Sequence, residues 1–173
     1  MAALVEALAA EGATIATAES ITGGRVVAAL TSVPGSSSVV RGGMVAYASD
    51  VKVSLLAVDP VVLAEQGAVC VEVAEQMAGG VRERLGATYG VATTGEAGPD
   101  SASGQPVGTV FVAVAGPHGI TARRLEVDGT RSEVQQAAVR AALGILASVR
   151  GGDAEGVRDD RAVPPPGPGN NGG

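Results

Sequence analysis

Of the twelve basic residues in this 173-residue chain, eleven are arginine and one is lysine, Lys52. Arginine keeps its proton in proteins, whereas an amine can lose one, so a chain that uses arginine everywhere else marks position 52 for proton transfer. A lysine base needs a group to deprotonate. Ser20, in Thr17-Ala18-Glu19-Ser20-Ile21-Thr22-Gly23-Gly24, lies between an expected strand and an expected helix, where main-chain N–H groups can stabilise an oxyanion. Tyr47 follows Ser20 by 27 residues, about one strand-helix-strand crossover, which brings both to the same edge of neighbouring strands. Tyr47 and Lys52 are therefore expected to converge on the Ser20 hydroxyl, one relaying or orienting the proton that the other accepts.

The local setting of Lys52 favours an uncharged amine. With Ser49 as helix N-cap, Lys52 falls at the third helical position, where the helix dipole and partial burial both disfavour a cation. Lowering its pKa from about 10.4 to about 7.5 requires roughly 4 kcal/mol. The dipole supplies about 1 kcal/mol, so desolvation must supply most of the rest. The competing readings are a solvated surface lysine and a serine that merely caps a helix.

Three glycine-rich helix starts offer anion sites: Thr22-Gly23-Gly24, Thr94-Gly95 with the following Glu96-Ala97-Gly98-Pro99, and Gly129-Thr130-Arg131-Ser132-Glu133. The last is the most specific, because Thr130 and Glu133 form a capping box and Arg131 stands beside free N–H groups as a phosphate clamp. Thr22, Gly23, Gly24, Thr94, Gly95 and Arg131 are thus the candidate substrate-binding residues. Glu19 and Glu96 flank the site with three open roles: orienting the ammonium, meeting substrate, or facing water. His118 reads as a turn residue and Cys70 as a small helix-start residue. Neither a GxxxxGK[ST] loop nor a GxGxxG turn is present, so nucleoside triphosphate and dinucleotide readings have no support.

The elements that must position these residues alternate β-branched runs with longer helical patterns, the pattern of an α/β domain. Helices are expected over 2–10, 22–32, 50–58, from Pro60, 70–85 and 131–149, and strands over 14–18, 43–47 and 89–93. Segments 108–115 and 121–127 flank Gly116-Pro117-His118-Gly119 as a hairpin. Strands joined by helices are parallel and hairpin strands antiparallel, so the fold class is a three-layer α/β/α sandwich with a mixed, mostly parallel central sheet. Ligands bind such sheets at the carboxyl ends of the parallel strands, where Glu19–Gly24, Tyr47–Lys52 and Thr94–Pro99 fall. One domain over 1–150 is expected. Residues 151–173, with seven glycines and four prolines, are too poor in apolar groups to offset their ordering entropy and are read as a disordered tail.

Composition narrows the function classes. Eighteen acidic residues against twelve basic give a net charge of −6 without a basic cluster, which disfavours nucleic acid as a partner. One cysteine and one histidine cannot build a Cys/His zinc site from this chain alone, and no metal or cofactor is expected. No apolar run approaches the roughly 20 residues needed to cross a bilayer, and the start lacks a basic signal-peptide region, so no membrane association and a cytoplasmic location are expected. The low aromatic content and exposed helices leave room for a homodimer or higher homo-oligomer.

At Thr17–Gly24 the chain resembles the CinA C-terminal domain family, the nicotinamide-nucleotide amidohydrolases. The resemblance continues through Tyr47-Ala48-Ser49-Asp50-Val51-Lys52, Thr94–Pro99, Pro106-Val107-Gly108-Thr109-Val110 and Gly129-Thr130-Arg131, in order over residues 1 to 150. It implies hydrolysis of the carboxamide of nicotinamide mononucleotide to the acid and ammonia without a metal. The serine nucleophile would be Ser20, its tyrosine and lysine partners Tyr47 and Lys52, and the substrate-holding arginine Arg131. The chain departs from the family pattern at Ile21, usually Cys, at Glu96, usually apolar, and at Cys70, usually Ser. Ile21 is expected to pack, and Glu96 could repel an anionic substrate or alter specificity. Two alternatives stand beside this reading: a non-catalytic nucleotide-binding module on the same scaffold, and an amidase for another carboxamide.

Overall fold

The computed structural model describes residues 1–151, so the tail expected over 151–173 lies, apart from Gly151, outside the described residues. The chain runs α1 (Ala2–Ala10), β1 (Ile15–Glu19), α2 (Arg25–Thr31), a 3-10 turn (Ser36–Ser38), β2 (Val40–Val45), α3 (Ser49–Leu56), α4 (Pro60–Gln66), α5 (Val71–Leu85), β3 (Tyr89–Gly95), β4 (Thr109–Gly116), β5 (Gly119–Glu126) and α6 (Arg131–Arg150). The five strands form one sheet in the order β2-β1-β3-β4-β5. β2, β1 and β3 pair in parallel, while β4 runs antiparallel to both β3 and β5. Four strands therefore share one direction, as the mixed, mostly parallel expectation requires.

Strand alternation sorts the core into two layers. Val110, Val112 and Val114 of β4 join Ile15 and Val91 against Val5 and Leu8 of α1, Val26 and Leu30 of α2, and Val134, Ala138 and Leu146 of α6. The intervening positions face α3 and α5: Ala16, Ala18, Ala92, Ala113 and Ala115 meet Leu56, Val73, Met77 and Val81. Alanine on this face lets α5 approach the sheet closely. At Gly90 a Cβ would stand 2.1 Å from the Ala78 carbonyl oxygen, and at Gly80 of α5 one would stand 1.9 Å from that of Leu56. These two glycines fix the distances between β3, α5 and α3, and so the seat of α3, which carries Lys52.

Several boundaries differ from the sequence reading by a few residues, and three of them have a local reason that bears on the site. β2 occupies Val40–Val45 instead of 43–47 because an irregularity between Ile15 and Ala16 lets Val40 pair with Ile15 and Gly42 with Ala16. Gly43 is required there: a Cβ would lie 2.5 Å from Thr17 Oγ1 and 2.9 Å from Val27 Cβ, so the glycines that weaken strand propensity are what admit α2 against the sheet. α2 begins at Arg25 instead of Thr22, since residues 21–24 form a turn. The N-cap of α3 is Ala48, which offers no side-chain cap, so Ser49 is the first helical residue and Lys52 the fourth.

The strand order places β1 in the middle of the parallel set. The chain leaves β1 for β2 through α2 on one face, then passes to β3 through α3, α4 and α5 on the other. That reversal opens a crevice beyond the carboxyl end of β1, the usual place for a ligand in an open α/β sheet.

Candidate active site

Ser20 is the first residue after β1 and is nearly buried, at 9% exposure. Alternation along β1 turns Glu19 to the α2 face and Ser20 to the α3 and α5 face. Lys52 approaches from α3. Side chains on a helix tilt toward its N-terminus, so a long side chain at the fourth helical position runs back to the start of the helix and over the end of β1. There Lys52 Nζ lies 3.1 Å from Ser20 Oγ and 2.8 Å from each of the main-chain oxygens of Ala46 and Tyr47. Lys52 is 1% exposed and is the largest fully buried side chain among the described residues, so the solvated-lysine reading does not hold.

Burial lowers the Lys52 pKa from 10.5 to about 8, because the low-dielectric surroundings disfavour the ammonium. The partners then determine what the neutral amine does. An ammonium donates all three of its protons, one each to Ala46 O, Tyr47 O and Ser20 Oγ. A neutral amine retains two N–H bonds and one lone pair. Carbonyl oxygens only accept, so they hold the two N–H bonds and leave the lone pair to the Ser20 hydroxyl, the only neighbour of the three that can donate. In this arrangement a deprotonated Lys52 can accept a hydrogen bond from the Ser20 hydroxyl.

The Tyr47 side chain does not join this pair. Tyr47 is 63% exposed and its hydroxyl accepts from Arg131 Nη2 at 3.0 Å; what Tyr47 gives to Lys52 is its main-chain carbonyl. The expected relay through the phenol is corrected accordingly: the residue just past β2 points its carbonyl inward and its side chain outward. Arg131 stands at the first position of α6, behind the capping box in which Thr130 Oγ1 accepts from the Glu133 N–H and the Glu133 carboxylate accepts from the Thr130 N–H. Its other guanidinium nitrogen donates to Gly98 O at 2.9 Å. Arg131 thereby joins the loops that follow β2 and β3 at the mouth of the crevice.

The expected cradle at Thr22, Gly23 and Gly24 is satisfied from within except at the Thr22 N–H. Glu19, 1% exposed, reaches around the turn and accepts from Thr17 Oγ1, Thr22 Oγ1 and the main-chain N–H groups of Gly24, Val26 and Val27. None of the three roles left open for Glu19 applies; it is the carboxylate that caps α2. Thr22 Oγ1 also lies 2.8 Å from Thr93 Oγ1, and the Gly23 N–H donates to Ser20 O. With the Ser20 N–H bound to Thr93 O, the N–H groups of Ile21 and Thr22 have no acceptor among the described residues.

Thr94 is likewise occupied: it is buried, and its hydroxyl donates to Ala68 O at 2.7 Å, tying the loop before α5 to β3. Its single hydroxyl proton is committed to that bond. Gly95 serves by having no side chain, since a Cβ would stand 2.7 Å from Thr109 O and 2.8 Å from Ile21 Cδ1. The Glu96 N–H bonds to Thr109 O, so alternation turns the Gly95 N–H to the opposite edge of β3, the side on which β1 ends. Glu96 accepts from the N–H groups of Ala102 and Ser103 and so clasps the loop before β4. Ile21 packs in the core, as expected. Cys70 stands at the N-cap of α5 without a side-chain cap bond; its thiol donates to Gly67 O, and burial raises its pKa, which keeps the thiol protonated. Among the described residues no group of three or more His, Cys, Asp or Glu side chains is placed to hold a metal ion.

Fold and site together define a three-layer α/β/α domain with a buried serine–lysine pair at the switch point of its sheet. The CinA C-terminal domain model matches residues 1–149, and the chain belongs to that family. A CinA-like protein of Frankia casuarinae is 51% identical over 134 residues, covering 78% of this chain and 31% of that protein. One from Myxococcus xanthus is 45% identical over 148 residues, covering 84% and 35%. The chain thus spans about a third of the length of these curated relatives. Among solved structures, a competence-damaged protein (CinA) superfamily protein from Escherichia coli superposes with a TM-score of 0.82 at 32% identity, covering 86% of this chain and 87% of that one. A competence/damage inducible protein from Agrobacterium tumefaciens gives a TM-score of 0.79 at 38% identity, covering 85% and 93%.

Proposed function

We propose that this domain is a serine–lysine amidohydrolase that converts nicotinamide mononucleotide to nicotinate mononucleotide and ammonia. The observation that carries the reading is the 3.1 Å contact between Lys52 Nζ and Ser20 Oγ, with both other directions of the amine held by main-chain carbonyls. Ser20 Oγ attacks the carboxamide carbon as its proton passes to Lys52. Main-chain N–H groups beside Ser20 stabilise the tetrahedral oxyanion. Lys52 returns the proton to the departing nitrogen, which leaves as ammonia. Water then attacks the acyl-serine, giving one proton to Lys52, and Ser20 recovers it as the acid departs.

Arg131, at the mouth of the crevice and free to exchange the Gly98 carbonyl and the Tyr47 hydroxyl for a phosphate, is the residue chosen to hold the 5′-phosphate. A small nucleotide is the partner in this reading, which needs no metal or cofactor and places the reaction in the cytoplasm. No helix among the described residues is long and apolar enough to cross a membrane. The test is release of ammonia from nicotinamide mononucleotide by the purified chain. Ser20→Ala and Lys52→Arg should both abolish it, the latter because arginine keeps the charge and loses the basicity. Activity surviving Ser20→Ala would rule out this nucleophile, and saturable nucleotide binding without product would favour the non-catalytic module.

A further inference from the structure

The carboxylate of Glu19 is 1% exposed, lies next to the nucleophile in sequence, and points to the opposite face of the sheet. It takes no part in the proton transfer described above, yet it accepts five hydrogen bonds, three of them from main-chain N–H groups at the start of α2. Among the described residues no lysine or arginine pairs with it; main-chain and hydroxyl donors alone satisfy it. Such a network is costly to assemble and strict in geometry once assembled, because each orphaned member would bear its desolvation penalty.

Its effect on the turn is specific. Glu19 takes the N–H groups of Gly24, Val26 and Val27, Thr93 O takes that of Ser20, and Ser20 O takes that of Gly23. The two N–H groups left over, those of Ile21 and Thr22, directly follow the nucleophile. The Thr22 hydroxyl, shared between Glu19 Oε2 at 2.6 Å and Thr93 at 2.8 Å, pins the same residue from its side chain. An N–H on the residue after a serine nucleophile is well placed for the oxygen of a tetrahedral adduct. From this arrangement we infer that Glu19 is a positioning residue: by gathering the α2 N–H groups and the Thr22 hydroxyl onto one buried carboxylate, it fixes the turn so that the Ile21 and Thr22 N–H groups face the oxygen that develops charge when Ser20 attacks.

The inference rests on Ser20 being the nucleophile, and the experiment separates the two. Wild type and Glu19→Gln are treated with a fluorophosphonate, whose phosphorus bonds to Ser20 Oγ as fluoride leaves and the serine proton passes to Lys52. The phosphonyl oxygen occupies the position of the carbonyl oxygen, so labelling reads the turn independently of any amide substrate. In Glu19→Gln the amide NH2 must face N–H groups that need an acceptor. The labelling rate per folded molecule, with the folded fraction measured by far-UV circular dichroism, should fall about tenfold or more. In turnover, kcat should fall by a similar factor with KM and the pH midpoint of kcat unchanged, since Lys52 lies on the other face.

Wild-type labelling by a folded Glu19→Gln overturns the inference, as does a loss that only tracks the unfolded fraction or comes with a displaced pH midpoint. Should Glu19→Gln fail to fold, Thr22→Val removes one donor to the same carboxylate, and its labelling rate decides in the same way. If the wild type is labelled at Ser20 but releases no ammonia from nicotinamide mononucleotide, the substrate reading fails while labelling still decides the role of Glu19. An unlabelled wild type overturns both.

Discussion

Replacing Lys52 by methionine, close to it in length but without a charge, separates what the amine costs from what it does. Its folded pKa of about 8 against an ordinary 10.5 corresponds to about 3 kcal/mol of destabilisation while the ammonium stays buried. The sign follows from proton binding. Below pH 8 both folded and unfolded chains hold the proton and the penalty is present in full. Between pH 8 and 10.5 the unfolded chain still binds it and the folded chain does not, so stability rises with pH, and above 10.5 the penalty is gone.

Urea unfolding of wild type and Lys52→Met at intervals from pH 7 to 10.5 should therefore show the wild type gaining about 3 kcal/mol relative to the variant. Subtracting the variant cancels tyrosine, cysteine and terminal titrations common to both. In the wild type, about one amine in ten is neutral at pH 7, so kcat/KM for ammonia release should rise roughly tenfold to a plateau above pH 9, with its midpoint near 8. Lys52→Met should be inactive throughout. A stability difference that stays constant across this range, or an activity midpoint near 10.5, would refute the neutral-amine argument.

Other expectations follow from single contacts. Tyr47→Phe removes the hydroxyl that Arg131 holds and leaves the carbonyl that holds Lys52, so kcat should change by less than about tenfold, whereas a phenol relay would require near-complete loss. Gly80→Ala places a methyl 1.9 Å from the Leu56 carbonyl oxygen and should cost about 2 to 4 kcal/mol by denaturation, with a lower kcat because α3 carries Lys52; retention of full stability would contradict the close packing of α3 on α5. Thr130→Ala removes the cap of α6 and should cost about 1 kcal/mol of unfolding free energy measured in urea; a rise in KM alongside it would tie the cap to the seat of Arg131.

Much of the site was legible because it depends on side-chain chemistry and chain order. A single lysine among arginines pointed to Lys52, the crossover spacing put Ser20 and Tyr47 at one sheet edge, and the capping box at Thr130 and Glu133 placed Arg131. Glu19 was within reach of the same reasoning: in a two-residue repeat, neighbours on a strand face opposite ways, so a carboxylate beside a nucleophile that faces α3 must face α2.

The sequence by itself determined the order of elements, the parallel and antiparallel pairings, and the residue types available for proton transfer, since these rest on periodicity, breakers and intrinsic chemistry. Only the tertiary structure decided that Lys52 is dry, that two carbonyls direct its remaining lone pair at Ser20, that the phenol of Tyr47 turns to Arg131, and that Glu19 takes the Thr22 hydroxyl and the Gly24 N–H. Those outcomes depend on which groups compete for the same donor at distances of about 3 Å. Separations that small are set by how closely α2 and α3 pack on the sheet, a distance between elements that no local pattern encodes.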